Sequence, residues 1–175
     1  MSVAADRVLR MSRRFEAAPE RVFDAWTSPA LVGRWLFTTP IDESYQAQLD
    51  LRVGQPWTIT ARRGGIDYTA SGEYLVIERP RRLVFTFAML QFSPESDQIT
   101  IEIVPDGAGC ILTLTQEGVD IAAELRHLPA GVVGATEHGW MEMFDQLELT
   151  LADRGSESAD QSAERAREEA DDPAD

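Results

Sequence analysis

Residues 45–118 decide the fold, and they read YQAQLDLRVGQPWTITARRGGIDYTASGEYLVIERPRRLVFTFAMLQFSPESDQITIEIVPDGAGCILTLTQEG. The stretch falls into short runs of alternating apolar and polar residues. From Pro56 to Arg62, Trp57, Ile59 and Ala61 alternate with Thr58, Thr60 and Arg62. Successive side chains on a strand point to opposite faces, so this alternation marks a half-buried strand. Tyr45 to Leu51 makes an earlier strand, and Ile66 to Ile77 is a long one in which Gly72 signals a bulge or bend. Leu83, Phe85, Phe87 and Met89 share one face of the next run. Ile99, Ile101 and Ile103 do so in the following one, and Leu112 and Leu114 in the last. Arg52-Val53-Gly54, Arg63-Gly64-Gly65, the Pro80 segment and Asp106-Gly107-Ala108-Gly109 supply turns between them. Strands at roughly ten-residue spacing with short turns predict an antiparallel meander.

Helical signals flank this block. On its N-terminal side, Arg7 to Phe15 reads as a first strand. Pro19 and Glu20 then open a helix whose apolar face is Val22, Phe23 and Trp26, since proline and an acidic residue both suit a first helical turn. Ser28 caps a second short helix from Pro29 to Trp35. A loop follows from Thr38 to Glu43. On the C-terminal side, Gly118 to Gly134 is mixed, with Asp120 positioned to cap a helical turn through Leu128. From Ala135 to Ala152 the chain carries its clearest helical period. Trp140, Phe144, Leu147 and Leu151 recur at steps of 4, 3 and 4, with Met143 beside them and Glu142, Asp145 and Glu148 on the wet side. The predicted class is α+β: one long helix laid over an antiparallel sheet, an arrangement that encloses a space unless side chains fill it.

The chain has 175 residues, 43% of them hydrophobic, which suits a single domain with a substantial core. Residues 1–152 make that domain. Asp153 to Asp175 holds nine acidic and three basic residues and no apolar side chain larger than alanine. This composition reads as a disordered acidic tail, with a helix-forming stretch at Glu164 to Ala170. The net charge of −14 argues against a nucleic-acid partner, whose phosphates reward clustered positive charge. No run is long and apolar enough for membrane insertion, and no secretory pattern follows Met1, so a cytoplasmic location is expected. All 16 basic residues are arginine. Schiff-base and phosphate-loop lysine chemistry is therefore absent. Cys110, the single cysteine, sits in a strand-like run and reads as a small buried hydrophobe. His127 and His138 are the two histidines. With Cys110 they are too scattered for a metal set, and the His138–Glu142 spacing suits an ordinary helix-surface pair. No metal or cofactor is expected.

The segment Phe15-Glu16-Ala17-Ala18-Pro19-Glu20-Arg21-Val22-Phe23-Asp24-Ala25-Trp26 resembles the opening of proteins similar to the activator of the heat-shock-protein-90 ATPase, within the START-like (SRPBCC, helix-grip) superfamily. Leu31 with Arg34-Trp35 looks like their second short helix. Gly72-Glu73-Tyr74 with Ile77-Glu78-Arg79-Pro80-Arg81-Arg82-Leu83-Val84-Phe85 looks like their central strand pair. His138-Gly139-Trp140 with Leu147 looks like their last helix. The resemblance spans about residues 7–152. It implies a seven-stranded curved sheet wrapped around the C-terminal helix, with two short helices after the first strand and a cavity between sheet and helix. The family often places an aromatic or glycine-rich turn after the tryptophan at position 35. Here Leu36-Phe37-Thr38-Thr39-Pro40 stands there, so the cavity mouth is expected to differ.

The apolar faces nominate cavity liners: Trp35 at the entrance, Trp57, Ile59, Tyr68, Tyr74, Phe85, Phe87, Met89, Ile101 and Leu112 from the sheet, and Trp140, Met143, Phe144 and Leu147 from the helix. The expected function is binding a small apolar molecule, lipid- or polyketide-like, in that cavity. No catalytic residue is assigned. Glu73, Tyr68, Tyr74, Glu102 and His138 are the polar groups that could face inward, and a cyclase- or hydrolase-type enzyme would need a carboxylate or histidine there, Glu73, Glu102 or His138. A co-chaperone stimulating an ATPase is the third reading, suggested by the family resemblance alone. A homodimer and a chaperone contact stand as further partner expectations.

Overall fold

The computed structural model describes residues 7–170, with side chains described through Asp153. In chain order it runs β1 (Leu9–Phe15), α1 (Pro19–Thr27), α2 (Pro29–Val32), β2 (Ser44–Leu49), β3 (Pro56–Arg63), β4 (Ile66–Glu78), β5 (Arg82–Phe87), β6 (Asp97–Asp106), β7 (Gly109–Glu117), α3 (Val119–His127) and α4 (Ala135–Ala170). The seven strands form one antiparallel sheet in the order β1-β7-β6-β5-β4-β3-β2. Consecutive strands from β2 to β7 are neighbours, as the meander pattern predicts. The excursion through α1 and α2 lets β1 close the far edge against β7. The sheet is open and curved, and the C-terminal helix lies against it, the helix-grip arrangement.

The core sits between the sheet's inner face and α4. Phe15, at the end of β1, meets Phe144 edge-on at 5.9 Å between ring centres. Trp26 of α1 packs edge-on against Trp35 at 4.6 Å and also touches Trp140 and Phe144. Burying an aromatic or large aliphatic side chain contributes roughly 1.5–3 kcal/mol, so this cluster is a main source of cohesion between α1, α4 and the sheet. Arg13 of β1 reaches over the helix's wet side to Asp145, 2.7 Å away, and to Glu148.

Several boundaries differ from the sequence reading for identifiable reasons. The first strand pairs from Leu9 rather than Arg7. The second short helix stops at Val32 instead of Trp35, because Gly33 and the turn after it swing the chain so that the Trp35 indole donates to Ala25 O at 2.9 Å. The register shift in β4 falls between Tyr74 and Val76, not at Gly72. Gly72 has a different task. A Cβ there would lie 1.8 Å from the Thr86 carbonyl oxygen, so glycine permits close approach of β5. Asp120 does not cap α3. The distant Asp97 does, accepting from the Asp120 and Ile121 amides at 3.3 and 3.2 Å. Helix α4 runs on to Ala170, past the predicted end at Ala152. The alanines, glutamates and arginines of Glu164 to Ala170, where the sequence reading places helical character, favour helix intrinsically. Residues 171–175, the rest of the predicted tail, lie outside the described residues.

Candidate functional site

An open cleft of about 860 Å³ lies between α4, the segment Gly33 to Pro40, and strands β3 and β4. Its apolar floor is Phe37, Ile59, Tyr68, Ala70, Met89 and Met143. The strands supply Ile59 and Ala70 because alternation turns those positions inward. Helix α4 supplies Met143 and Gly139 one turn apart. A second cleft of about 290 Å³ lies between α3, α4 and the β5–β6 connection, with Phe37, Met89, Gly139 and Met143 common to both.

Phe37 lines both spaces. Its ring is stacked on Phe87 at 5.3 Å and on Trp57 at 6.3 Å, within 10° of parallel to both, and Trp140 lies against it at 5.8 Å. Its backbone has φ +53°, the left-handed region that an aromatic residue seldom adopts. The flanking chain is firmly held. The Tyr45 hydroxyl donates to Leu36 O at 2.8 Å, and Arg63 donates to Phe37 O at 3.1 Å. Asp42 accepts from the Thr38 hydroxyl and from the Thr39 amide and hydroxyl at 2.8–2.9 Å, and pairs with Arg63. Burial raises the Asp42 pKa, but the Arg63 guanidinium and the threonine donors outweigh it and hold the carboxyl at about 2. Burial, with the nearby Asp42 charge, pushes the Tyr45 phenol up.

The predicted liners divide into three groups. Ile59, Tyr68, Met89 and Met143 line the larger cleft, and Phe87, Met89, Trp140 and Met143 the smaller. Trp57, Ile59, Tyr74 and Phe85 surround a void of only about 10 Å³, room for a single water at most. Trp35, Ile101, Leu112, Phe144 and Leu147 line none of these spaces and pack as fully buried core. The helix stripe therefore meets the sheet tightly along most of its length, and the open space lies beside Met143 and Gly139 rather than beneath Phe144 and Leu147. The sequence reading missed Phe37 as a wall residue, although it had marked the departure at Leu36 to Pro40.

Polar groups follow their own pattern. Glu73, Glu102 and His138 are exposed to solvent, so none of the three supplies an inward acid or base. His138 pairs with Glu142 at 3.4 Å on the helix surface. Tyr74 is buried, and desolvation pushes its phenol up to about 12. Tyr68 is half-buried at the cleft, with the Arg63 guanidinium over its ring at 5.4 Å and Phe92 stacked on it at 6.1 Å. Among the described residues, no group of three or more histidine, cysteine, aspartate or glutamate side chains could hold a metal ion. Two carboxylates that sequence did not single out, Asp97 and Glu124, border the smaller cleft. Both are engaged by backbone amides, Glu124 by that of Thr136 at 3.0 Å. Among the described residues no helix is long and apolar enough to cross a membrane.

A curved antiparallel sheet holding a terminal helix, with an aromatic cleft at one end of the grip, defines a helix-grip protein of the START-like class. The chain belongs to the family described as activator of Hsp90 ATPase homolog 1-like protein, which matches residues 16–152. Solved structures share the fold at low identity. A Chromobacterium violaceum protein is 24% identical with a TM-score of 0.65, covering 82% of this chain and 96% of its own. One from Rhodobacter sphaeroides is 21% identical with a TM-score of 0.68, covering 86% and 95%. An AHSA1-like protein from Aeromonas hydrophila is 20% identical with a TM-score of 0.65, covering 85% and 94%. No curated protein matches the chain.

Proposed function

We propose that the protein binds a small apolar molecule in the cleft between Gly33–Pro40, β3–β4 and α4. The observation that carries this reading is the 860 Å³ cleft itself, floored by Phe37, Ile59, Tyr68, Ala70, Met89 and Met143. Ligand pockets typically enclose about 300–1,000 Å³, with apolar walls and a few polar groups at the rim. Here the rim carries Arg34, Thr38, Thr39, Arg63 and Glu142. Burial of apolar ligand surface would supply the driving force, at roughly 25 cal/mol per Å². The domain of residues 1–152 is the binding unit in this reading. Trp57, Tyr74 and Phe85 stiffen the sheet wall, and Phe144 and Leu147 anchor the helix against it.

The enzyme alternative is weaker, because Glu73, Glu102 and His138 all face solvent. The co-chaperone alternative rests on the family's description, and a shared fold does not fix a shared activity. Native mass spectrometry of the whole chain against neutral apolar molecules, both ring systems and acyl chains, tests the proposal. Stoichiometric one-to-one complexes, weakened by Met143→Glu, are expected. Absence of any complex across the panel would overturn it.

A further inference from the structure

We infer that the cleft is shaped for a flat aromatic molecule, neutral or cationic, and that the Phe37 ring occupies part of its seat in the free protein. This deepens the binding proposal above and rests on it.

Three rings from three separate segments lie parallel here. Phe37, Trp57 and Phe87 are mutually within 10° of parallel, with centres 5.3–6.5 Å apart. Trp57 and Phe87 belong to the sheet, while Phe37 reaches them from a connecting segment. The sheet thus presents a flat aromatic surface, and a side chain of the protein already covers it. Phe37 does so from a left-handed backbone conformation that costs energy for any residue with a Cβ. Its amide nitrogen donates to the Met143 sulfur at 3.3 Å, a weak acceptor. The ring itself is held by stacking on Phe87 and Trp57 and by the Trp140 face, apolar contacts that a competing ring can replace while the backbone stays anchored.

A second feature, independent of Phe37, is space left open on the helix. Gly139 is in α4 and borders both clefts, and a Cβ built on it would meet nothing within 4 Å. Glycine inside a helix is disfavoured relative to alanine. Neither backbone conformation nor steric contact within the protein requires it at this position. An opening beside Gly139 accommodates a ligand edge. The other walls common to both clefts are Met89 and Met143, flexible and polarisable side chains that adapt to ring faces. The Phe37 ring lies where the 860 and 290 Å³ spaces meet, sharing that boundary with Met89, Gly139 and Met143.

Charge narrows the class. The two arginines of the larger cleft are already paired, Arg34 with Asp153 and Arg63 with Asp42. The helix side of the same cleft carries Glu142 and Asp145, the latter held by Arg13. With both arginine charges already countered, these two carboxylates disfavour an aromatic carboxylate as ligand. They do not disfavour a neutral or cationic ring.

The test uses the whole chain with two probes, naphthol as a flat ring system and decanol as a flexible chain. Dissociation constants are measured by calorimetry for the parent, Phe37→Gly and Gly139→Leu, with unfolding midpoints confirming that each variant folds. Phe37→Gly should bind naphthol about tenfold more tightly than the parent, with a smaller gain for decanol. Gly139→Leu should weaken naphthol by a similar factor. In the parent, carbon-13-labelled Met89 and Met143 methyl signals should shift with naphthol more than with decanol, a readout that stands if either variant fails to fold. Equal gains for both probes in Phe37→Gly, unchanged naphthol binding in Gly139→Leu, or methyl shifts indifferent to the probe would overturn the inference and leave the binding proposal standing. Binding of neither probe to any form, with no methyl shifts, would overturn both.

Discussion

Trp140 and Gln116 are joined inside the protein: the indole nitrogen of the helix residue donates to the side-chain oxygen of the strand residue at 2.9 Å. Gln116 passes the contact on, its amide nitrogen donating to Asp97 at 2.9 Å, and Asp97 in turn holds the first turn of α3. Asp97 and Gln116 are both buried. One chain of polar groups thus ties α4, β7, β6 and α3 together. Gln116→Leu would strand the Trp140 N–H and remove one donor from a buried carboxylate. A buried orphan of this kind costs about 1–3 kcal/mol. Urea unfolding should show a loss of that size, much of it recovered in the Gln116→Leu/Trp140→Phe double variant, which removes both members of the first bond. A Gln116→Leu protein as stable as the parent would contradict this account.

Gly72 should tolerate no side chain. A Cβ at this position would lie 1.8 Å from Thr86 O and 2.7 Å from the Trp57 indole nitrogen, which itself donates to Thr86 O at 3.1 Å. Gly72→Ala must therefore push β5 away from β4 or break the indole contact. Thermal or urea unfolding should report a destabilisation of about 3 kcal/mol, at the upper end of overpacking effects. A loss too small to measure would mean that the two strands can separate locally without cost.

The anchor at Asp42 should show itself in acid. Its carboxyl titrates near 2 in the folded protein, against about 3.9 for a free aspartate. Because the folded value is the lower one, the contribution to stability is complete above about pH 4 and is lost as pH falls towards 2. The parent should therefore be more stable than Asp42→Asn at about pH 6, and the difference should shrink steadily as the carboxyl protonates. A pH-independent gap between the two unfolding midpoints would show that the contact is not ionic.

Cys110 should be chemically silent in the folded state. It is fully buried, and burial pushes its thiol up. The Glu20 charge adds to that effect, while Arg14 partly opposes it. Only the thiolate attacks alkylating agents. Modification by iodoacetamide at about pH 8 should proceed only as fast as the protein opens, and rapidly in denaturant. Equal rates in the two conditions would place Cys110 at an accessible surface.

The strand block was legible because side-chain alternation states directly which face is buried. Leu83, Phe85, Ile99, Ile101, Leu112 and Leu114 all sit inward as their spacing requires. The stripe of Trp140, Phe144, Leu147 and Leu151 was legible for the equivalent reason at helical period. What escaped were relationships that no local pattern encodes. Asp97 caps a helix that begins 22 residues later, through a contact made only once β6 and α3 are in place. Phe37 enters the cleft through a positive φ at a position where the sequence offers no glycine or asparagine to announce one. The apolar pattern identified which residues leave solvent, but not which of them meet. It thus could not separate Phe144, packed solid, from Met143 one residue earlier, which faces open space.

All four tryptophans belong to one aromatic assembly. Trp26, Trp35, Trp57 and Trp140 are each no more than 3% exposed. Trp26 touches Trp35 and Trp140 directly, and Phe85 bridges it to Trp57. The protein's ultraviolet emission therefore arises from a single dry, coupled group of indoles rather than from scattered independent ones. Excitation energy absorbed anywhere in the group can migrate through it, so a quencher arriving beside Trp57 or Trp140 would dim the whole signal. The same light shifting to the red would announce water reaching the centre of the molecule, giving the unlabelled chain a built-in optical gauge.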